Sequence, residues 1–251
     1  IRIPIFKRII PSLAIKILKL TKKNRGYFKV NNIKMFLDFL DPIDREIILY
    51  QKYEDEEVND LENYISKFNI ENFIDVGANC GYFAIKLLSK IQNLKIIAFE
   101  PNKEAYFKFK KTIEINPSLS KNITLKNHGL SDQNSNLKMK FLKKDGYQQT
   151  GGSSVVEDSH CKDENFFFGN FKIGDQILKF KNQNLCFKID VERHEIQVLK
   201  GLQNTLKNNK IVLMIEIYEK NFVQSNALLN EIGFELKKKI KERSNYFYSN
   251  F

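Results

Sequence analysis

The sequence predicts an α/β protein, with a mostly parallel sheet covered by helices on both faces. Three observations carry that expectation. Strand-length apolar runs alternate with helix-length amphipathic stretches from about residue 70 onward. Four of those runs end on an acid: Asp75, Glu100, Asp190 and Glu216. Two glycines follow the first of these within "DVGANCGYF". The chain has 251 residues, 42% of them hydrophobic, which suits one large domain with a short extra segment.

The extra segment is N-terminal. Residues 1–34 read as a basic arm, since residues 1–37 hold ten Lys/Arg and no acid. Removing those ten from the net charge of +11 leaves +1, so the remainder is close to neutral. Within the arm, Pro11 and the spacing of Leu13, Ile17 and Leu20 predict a helix over 11–23. Such a helix could lie on an anionic membrane face. The plainer reading packs it on the main domain with its lysines in solvent. The uncharged stretch Ile9–Ile15 is too short for a membrane span or a signal-peptide core. Cys80, Cys161 and Cys186 form no CxxC pattern, which suggests a reducing compartment. The expectation is a cytoplasmic protein, with any peripheral contact at the inner membrane face made through the arm.

The main domain is expected over 35–251. Met35 to Phe68 reads as short helical pieces. "NFIDV" is a strand, and "GYFAIKLLSKI" a helix with Phe83, Leu87 and Ile91 on one stripe. "KIIAFE" is a strand and "EAYFKFKKTIEIN" a helix. "ITLKNHGL" and "LKMKFLKK" read as two further strands. From Lys143 to Asn182 the pattern weakens into paired glycines, serines and an aromatic run, Phe166 to Phe168. That length suggests a substrate loop or lid inserted over 143–182. "LCFKIDV" is a strand, "HEIQVLKGLQNTLKN" a helix, "KIVLMIEIYE" a strand and "NALLNEIG" a helix. "FELKKKI" and "NYFYSNF" close the chain as an antiparallel hairpin.

Ligands of such sheets sit at the carboxyl ends of the strands. Gly77 and Gly81 bracket a strand–helix turn where backbone can approach a ligand. Glu100, 23 residues after Gly77, ends the next strand and can accept hydrogen bonds from ribose hydroxyls. The plainer reading is a tight turn and a helix-capping acid. In a dinucleotide site the middle position of the turn is glycine, to admit a pyrophosphate; here it is Asn79. Asp75, just before the turn, would repel phosphate and attract an ammonium group. S-adenosylmethionine, which has a ribose and a cationic tail but no phosphate, is therefore favoured over a nicotinamide dinucleotide.

The segments "DVGANCGYFAIKLL", "FEPN", "GLSD", "GGSSVV", "FKIDVERHEIQVLKGL" and "MIEIYE", in this order and spacing, resemble the FkbM-type methyltransferase family. "MFLDFLDPIDREI" and the pair Tyr53-Glu54 resemble its lead-in, and the likeness runs from about Met35 to Phe234. It implies a class I, Rossmann-like methyltransferase fold using S-adenosylmethionine, with transfer to a hydroxyl of a sugar, glycan or natural product. It further implies that Asp75, Gly77, Ala78, Asn79 and Gly81 line the methionine part, that Glu100 and Asn102 meet the ribose, and that Ser131 and Asp132 flank the adenine. One departure stands out: the family pattern DVEGHE is here "DVERHE", with Arg193 at the glycine position. If that glycine needs φ > 0, Arg193 carries strain of about 1 kcal/mol or more. It could also place a cation at the mouth of the site.

Methyl transfer to a neutral alcohol benefits from a general base. Asp190, Glu192 and His194 are the candidates. His194 has the best-suited ordinary pKa, with Glu192 or Asp190 to orient it; the plainer reading has it begin the next helix. If the strand continues through Glu192, Asp190 and Glu192 share a face. A divalent metal shared by Asp190 and Glu216 is the less favoured mechanism. A nucleic-acid methyltransferase is disfavoured by the near-neutral domain and by the lack of an Asn/Asp-Pro-Pro-aromatic tetrad. A catalytically impaired cofactor-binding protein, marked by Arg193, is the remaining alternative.

Overall fold

The computed structural model describes residues 23–144, 147–156, 165–240 and 243–251. The helix predicted over 11–23 falls almost wholly outside them. β1 (Arg25–Val30) and β2 (Ile33–Asp38) form a hairpin, followed by α1 (Pro42–Tyr50) and α2 (Asp55–Lys67). β3 (Asn72–Val76), α3 (Tyr82–Lys90), β4 (Lys95–Phe99), α4 (Lys103–Ile115), the single turn α5 (Pro117–Ser120) and β5 (Ile123–Lys126) then alternate. Next come β6 (Gly129–Ser131), β7 (Ser135–Lys144), β8 (Tyr147–Val155), β9 (Phe166–Ile173) and the turn α6 (Gly174–Ile177). The chain ends with β10 (Asn184–Ile189), α7 (Glu195–Gly201), α8 (Gln203–Lys207), β11 (Lys210–Glu216), α9 (Glu219–Glu231), β12 (Glu235–Lys239) and β13 (Asn245–Ser249).

Seven strands make the main sheet, in the order β12-β13-β11-β10-β3-β4-β5. The five from β11 to β5 are parallel, while β13 and β12 run antiparallel as the predicted closing hairpin. β3, β10 and β11 are buried on both faces, which explains their near-continuous apolar runs. One core lies under α2 and α3, and the other under α7 and α9.

The structure corrects the sequence reading in three places. Residues 25–34, assigned to the basic arm, belong to the β1–β2 hairpin. The hairpin packs on α4, where the Phe36 N–H donates to Thr112 Oγ1 at 2.9 Å and Arg25 pairs with Glu104 at 2.9 Å. Its alternating exposed and half-buried residues are a strand pattern that the density of cations disguised. "ITLKNHGL" is two strands in different sheets, separated at Asn127, whose amide donates to the Glu100 carbonyl at 2.9 Å. The insertion is a four-stranded sheet, β6-β9-β7-β8, that begins at Gly129 rather than at 143. Its periodicity is weak because one face is open, with Phe166 and Phe168 exposed.

A buried charge network fastens β8 to the main domain. Asp41 caps α1, with Pro42 as the first helical residue. Asp41 Oδ2 accepts from the Thr150 N–H at 2.8 Å and lies 2.6 Å from Thr150 Oγ1, which in turn is 2.9 Å from Asn79 Oδ1. Lys108 of α4 donates to Asp44 at 2.6 Å and to Thr150 Oγ1 at 3.0 Å, and both charged side chains are almost fully buried. This network ties an insertion strand, α1 and the turn after β3 to one ammonium group.

The turn after β10 holds two consecutive left-handed residues, Glu192 (φ 49°) and Arg193 (φ 78°). The strand therefore ends at Ile189 rather than running through Glu192. The Arg193 N–H donates to Glu195 Oε1 at 2.6 Å, and its guanidinium stacks over Tyr218 at 5.2 Å.

Two outcomes are expected in urea unfolding. Lys108→Ala, which strands Asp41 and Asp44, should cost about 3–5 kcal/mol. Arg193→Gly should not destabilise. Release of left-handed strain, roughly 1–3 kcal/mol, offsets the extra freedom of the unfolded chain, about 0.4–1 kcal/mol, and the lost ring stacking, about 0.5–1 kcal/mol. A loss of more than about 1 kcal/mol would show that the turn is unstrained.

Candidate active site

A cleft opens at the carboxyl ends of β3, β4, β10 and β11. The turn after β3 forms one wall. Gly77 has φ +83°, and a Cβ there would lie 1.8 Å from the Asp190 carbonyl oxygen, so glycine lets the ends of β3 and β10 close on each other. Ala78 and Asn79 also line the cleft, while Gly81 does not: a Cβ there would strike the buried Phe109 ring at 2.2 Å. Gly81 thus serves the packing of the turn on α4.

Glu100 lines the cleft at the end of β4. Its two carboxylate oxygens accept from the backbone N–H groups of Asn79 and Asn102, each at 2.8 Å. Burial pushes its pKa up to about 7, against those two hydrogen bonds. Asn102 caps α4 through the Glu104 N–H and donates to Ser153 Oγ of β8 at 3.1 Å; it is buried behind the cleft wall.

Asp75 is not among the residues that line the cleft. It is fully buried, 3.6 Å from Lys188 Nζ, and burial raises its pKa to about 6 despite that ammonium group. Its charge partner is a side chain of β10, and neither of its carboxylate oxygens has a hydrogen-bond partner among the described residues. Lys188 interrupts an otherwise apolar strand. Its Nζ donates to the Gly77 carbonyl at 3.1 Å, lies 3.1 Å from Asp190 Oδ2, and sits 5.1 Å above the Phe83 ring.

Opposite the glycine turn, Asp190, Glu192 and Glu216 line the cleft, with one oxygen of each within 4.8 Å of the others. The left-handed turn, rather than strand periodicity, brings Glu192 to Asp190. Glu192 Oε2 accepts from the Tyr218 hydroxyl at 2.8 Å, and Gly152 of β8 lines the cleft with it. Burial and the nearby Asp190 charge hold Glu216 far above the carboxylate range. Glu54, left-handed at φ 48°, completes the rim and pairs with Arg243 of the β12–β13 connection at 2.8 Å. Burial, then the Asp190 charge, raises Glu54 to about 7.

His194, Ser131 and Asp132 line a neighbouring groove instead. His194 occupies the cap position of α7 without capping it, and its Nε2 lies 3.0 Å from Ser131 Oγ. The expected arrangement, with Glu192 orienting His194 toward an acceptor, gives way to Tyr218 holding Glu192. Sequence reasoning gave no role to Lys188, Thr150, Tyr218 or Glu54. For Lys188 there was a signal: a lysine inside a buried strand must find acids. Thr150 and Tyr218 matter through contacts distant in the chain, which no local pattern marks.

The fixed charge of the cleft identifies the kind of ligand that suits it. Among the described residues five carboxylates (Glu54, Glu100, Asp190, Glu192, Glu216) and one cation, Lys188, line it. A pyrophosphate would be repelled, whereas a sulfonium nucleoside with an amino-acid tail fits both the charge and the glycine wall.

Comparisons with known proteins agree. Over 195 residues the chain is 25% identical to Methyltransferase sdnD of Sordaria araneosa, covering 65% of this chain and 73% of that protein. In fold it is similar to yhhF of Escherichia coli, described as a methyltransferase, with a TM-score of 0.50, 10% identity and coverage of 89% and 98% of the two chains. Magnesium protoporphyrin IX methyltransferase of Synechocystis PCC 6803, solved with bound S-adenosylmethionine, aligns at a TM-score of 0.48 and 8% identity over 84% and 83%. The family profile described as the methyltransferase FkbM domain matches residues 75–238. The chain belongs to the FkbM methyltransferase family and is an S-adenosylmethionine-dependent methyltransferase.

Proposed function

We propose that the protein transfers a methyl group to a hydroxyl oxygen of a sugar, glycan or natural-product acceptor, with the carboxylates at the end of β10 as the proton-accepting machinery. The observation that carries this reading is the meeting of Asp190, Glu192 and Glu216 in the same cleft as the glycine turn and Glu100. S-adenosylmethionine supplies an electrophilic methyl carbon when bound. Ala78, Asn79 and Glu100 would hold its nucleoside part, and the excess of carboxylates its positive charge. Glu192, held by the Tyr218 hydroxyl, would accept the acceptor's proton, and Asp190 would orient the hydroxyl. β8 lines the cleft from the glycine turn, where Thr150 meets Asn79, to Gly152 on the Glu192 side.

A second reading has a divalent cation shared by Asp190, Glu192 and Glu216. Their clustering favours it, but the Lys188 ammonium, 3.1 Å from Asp190, already supplies a counter-charge there.

Turnover of a panel of hydroxylated glycosides separates the roles. Asp190→Asn and Glu192→Gln should each lower kcat by about 10²–10⁴-fold, with cofactor affinity within a few-fold, and activity should survive chelation. His194→Ala should cost less than about tenfold. A larger loss in His194→Ala than in Glu192→Gln would return the base role to the histidine.

The raised carboxylates make cofactor binding pH-dependent. Glu54 and Glu100 hold their protons more tightly folded than unfolded, so the stability these two groups contribute to the free protein is full below the ordinary carboxylate range and is lost as pH rises through about 7. A bound cation favours their ionised forms. S-adenosylmethionine should therefore bind more tightly as pH rises from about 6 to 8, with release of protons. Calorimetry in buffers of different ionisation enthalpy checks this; the demethylated product, without the sulfonium charge, should respond less.

A further inference from the structure

An open groove adjoins the cleft, and Val155 of β8 lines both. Its character is opposite. Arg193 and Lys220 bring two cations to it, against one acid, Asp132; the imidazole of His194 and the hydroxyl of Ser131 complete the polar wall. Arg193 is the chain's departure from the family's glycine, and it keeps a left-handed backbone (φ 78°) that glycine would adopt without strain. A non-glycine residue in that conformation carries strain. The guanidinium is ordered by stacking on Tyr218, and the same tyrosine's hydroxyl donates to Glu192 at 2.8 Å. One aromatic ring thus links the groove's cation to the cleft's carboxylates.

We propose that this groove is the acceptor's anion pocket: Arg193 and Lys220 hold a carboxylate or phosphate group of the acceptor while its hydroxyl lies at Glu192 and Asp190. The planar fork of an arginine matches two oxygens of such a group, and a lysine adds a second charge. The acceptor is then an acidic hydroxy compound, of the kind of a uronic acid or a sugar phosphate, rather than a neutral sugar. The inference rests on methyl transfer taking place in the adjoining cleft.

The test titrates the full-length protein with glucuronate, inorganic phosphate and, as the neutral control, glucose, following the Arg193 side-chain N–H by nuclear magnetic resonance. Glucuronate and phosphate should each shift it saturably, and glucose should not. Arg193→Gln and Lys220→Gln should each weaken anion binding by about tenfold or more, the worth of one charge-assisted hydrogen bond. Absence of saturable binding by both anions, an equal response to glucose, or anion affinity unchanged in the Arg193→Gln/Lys220→Gln double variant would overturn the proposal. S-adenosylmethionine is titrated in parallel on the wild type. Loss of that binding would sink the methyltransfer reading of the cleft while leaving the groove's anion result to stand or fall separately.

Discussion

A lysine ammonium at the centre of a parallel sheet governs how this site is built. Lys188 lies on β10 beside β3, with almost no exposure, and a cation there must be compensated by neighbours. Asp75 from β3, Asp190 from the end of β10 and the Gly77 carbonyl provide that compensation. Because two of the three belong to the β3 terminus and its turn, the interaction fixes the separation of the two strand ends between which the cleft opens. The close approach of Gly77 to the Asp190 carbonyl is the steric counterpart of the same constraint.

A second buried ammonium repeats the device at the other side of the cleft. Lys108 gathers Asp41, Asp44 and Thr150, and through Thr150 it reaches Asn79, the residue that donates to Glu100. The inserted sheet is therefore not a free lid. Its strand β8 is anchored by hydrogen bonds at Thr150 and Ser153, and Gly152, between them, lines the cleft. The left-handed glycine at 152 (φ 73°) lets the strand bend between these attachments.

Much of this was legible in the sequence, and the residues that were not have a common cause. Alternating strands and helices, the acids at strand ends and the closing hairpin follow from local periodicity, and the structure has them. Gly77, Ala78, Asn79 and Glu100 lie together because adjacency of β3 and β4 is implied by the order of the elements. The pairing of Asp75 with Lys188 was not legible, because the two meet only where β10 lies beside β3 in the sheet. His194 was misplaced because a period-two extension of β10 was assumed, and two left-handed residues turn the chain instead. The family's glycine at one of those positions marks it as left-handed, and Arg193 keeps that conformation at φ 78°; Glu192 beside it gives no such signal. The insertion's boundary was missed for the opposite reason: a half-exposed sheet carries little hydrophobic periodicity to read.

Charge organises what remains. The cleft carries five carboxylates against one ammonium, and burial makes that excess costly until a cation arrives; Glu54, Glu100 and Glu216 accordingly hold their protons to unusually high pH. The adjoining groove carries the opposite sign at Arg193 and Lys220. Two ligands of opposite charge would each be rejected by the other's compartment, so the division sorts them without a dedicated gate. Tyr218 stands at the boundary, with its ring under the cation and its hydroxyl on Glu192. One rigid side chain thereby joins Arg193 to Glu192. An arginine in place of a glycine therefore puts a cation on a turn the fold needs, where Tyr218 ties it to the carboxylates of the cleft.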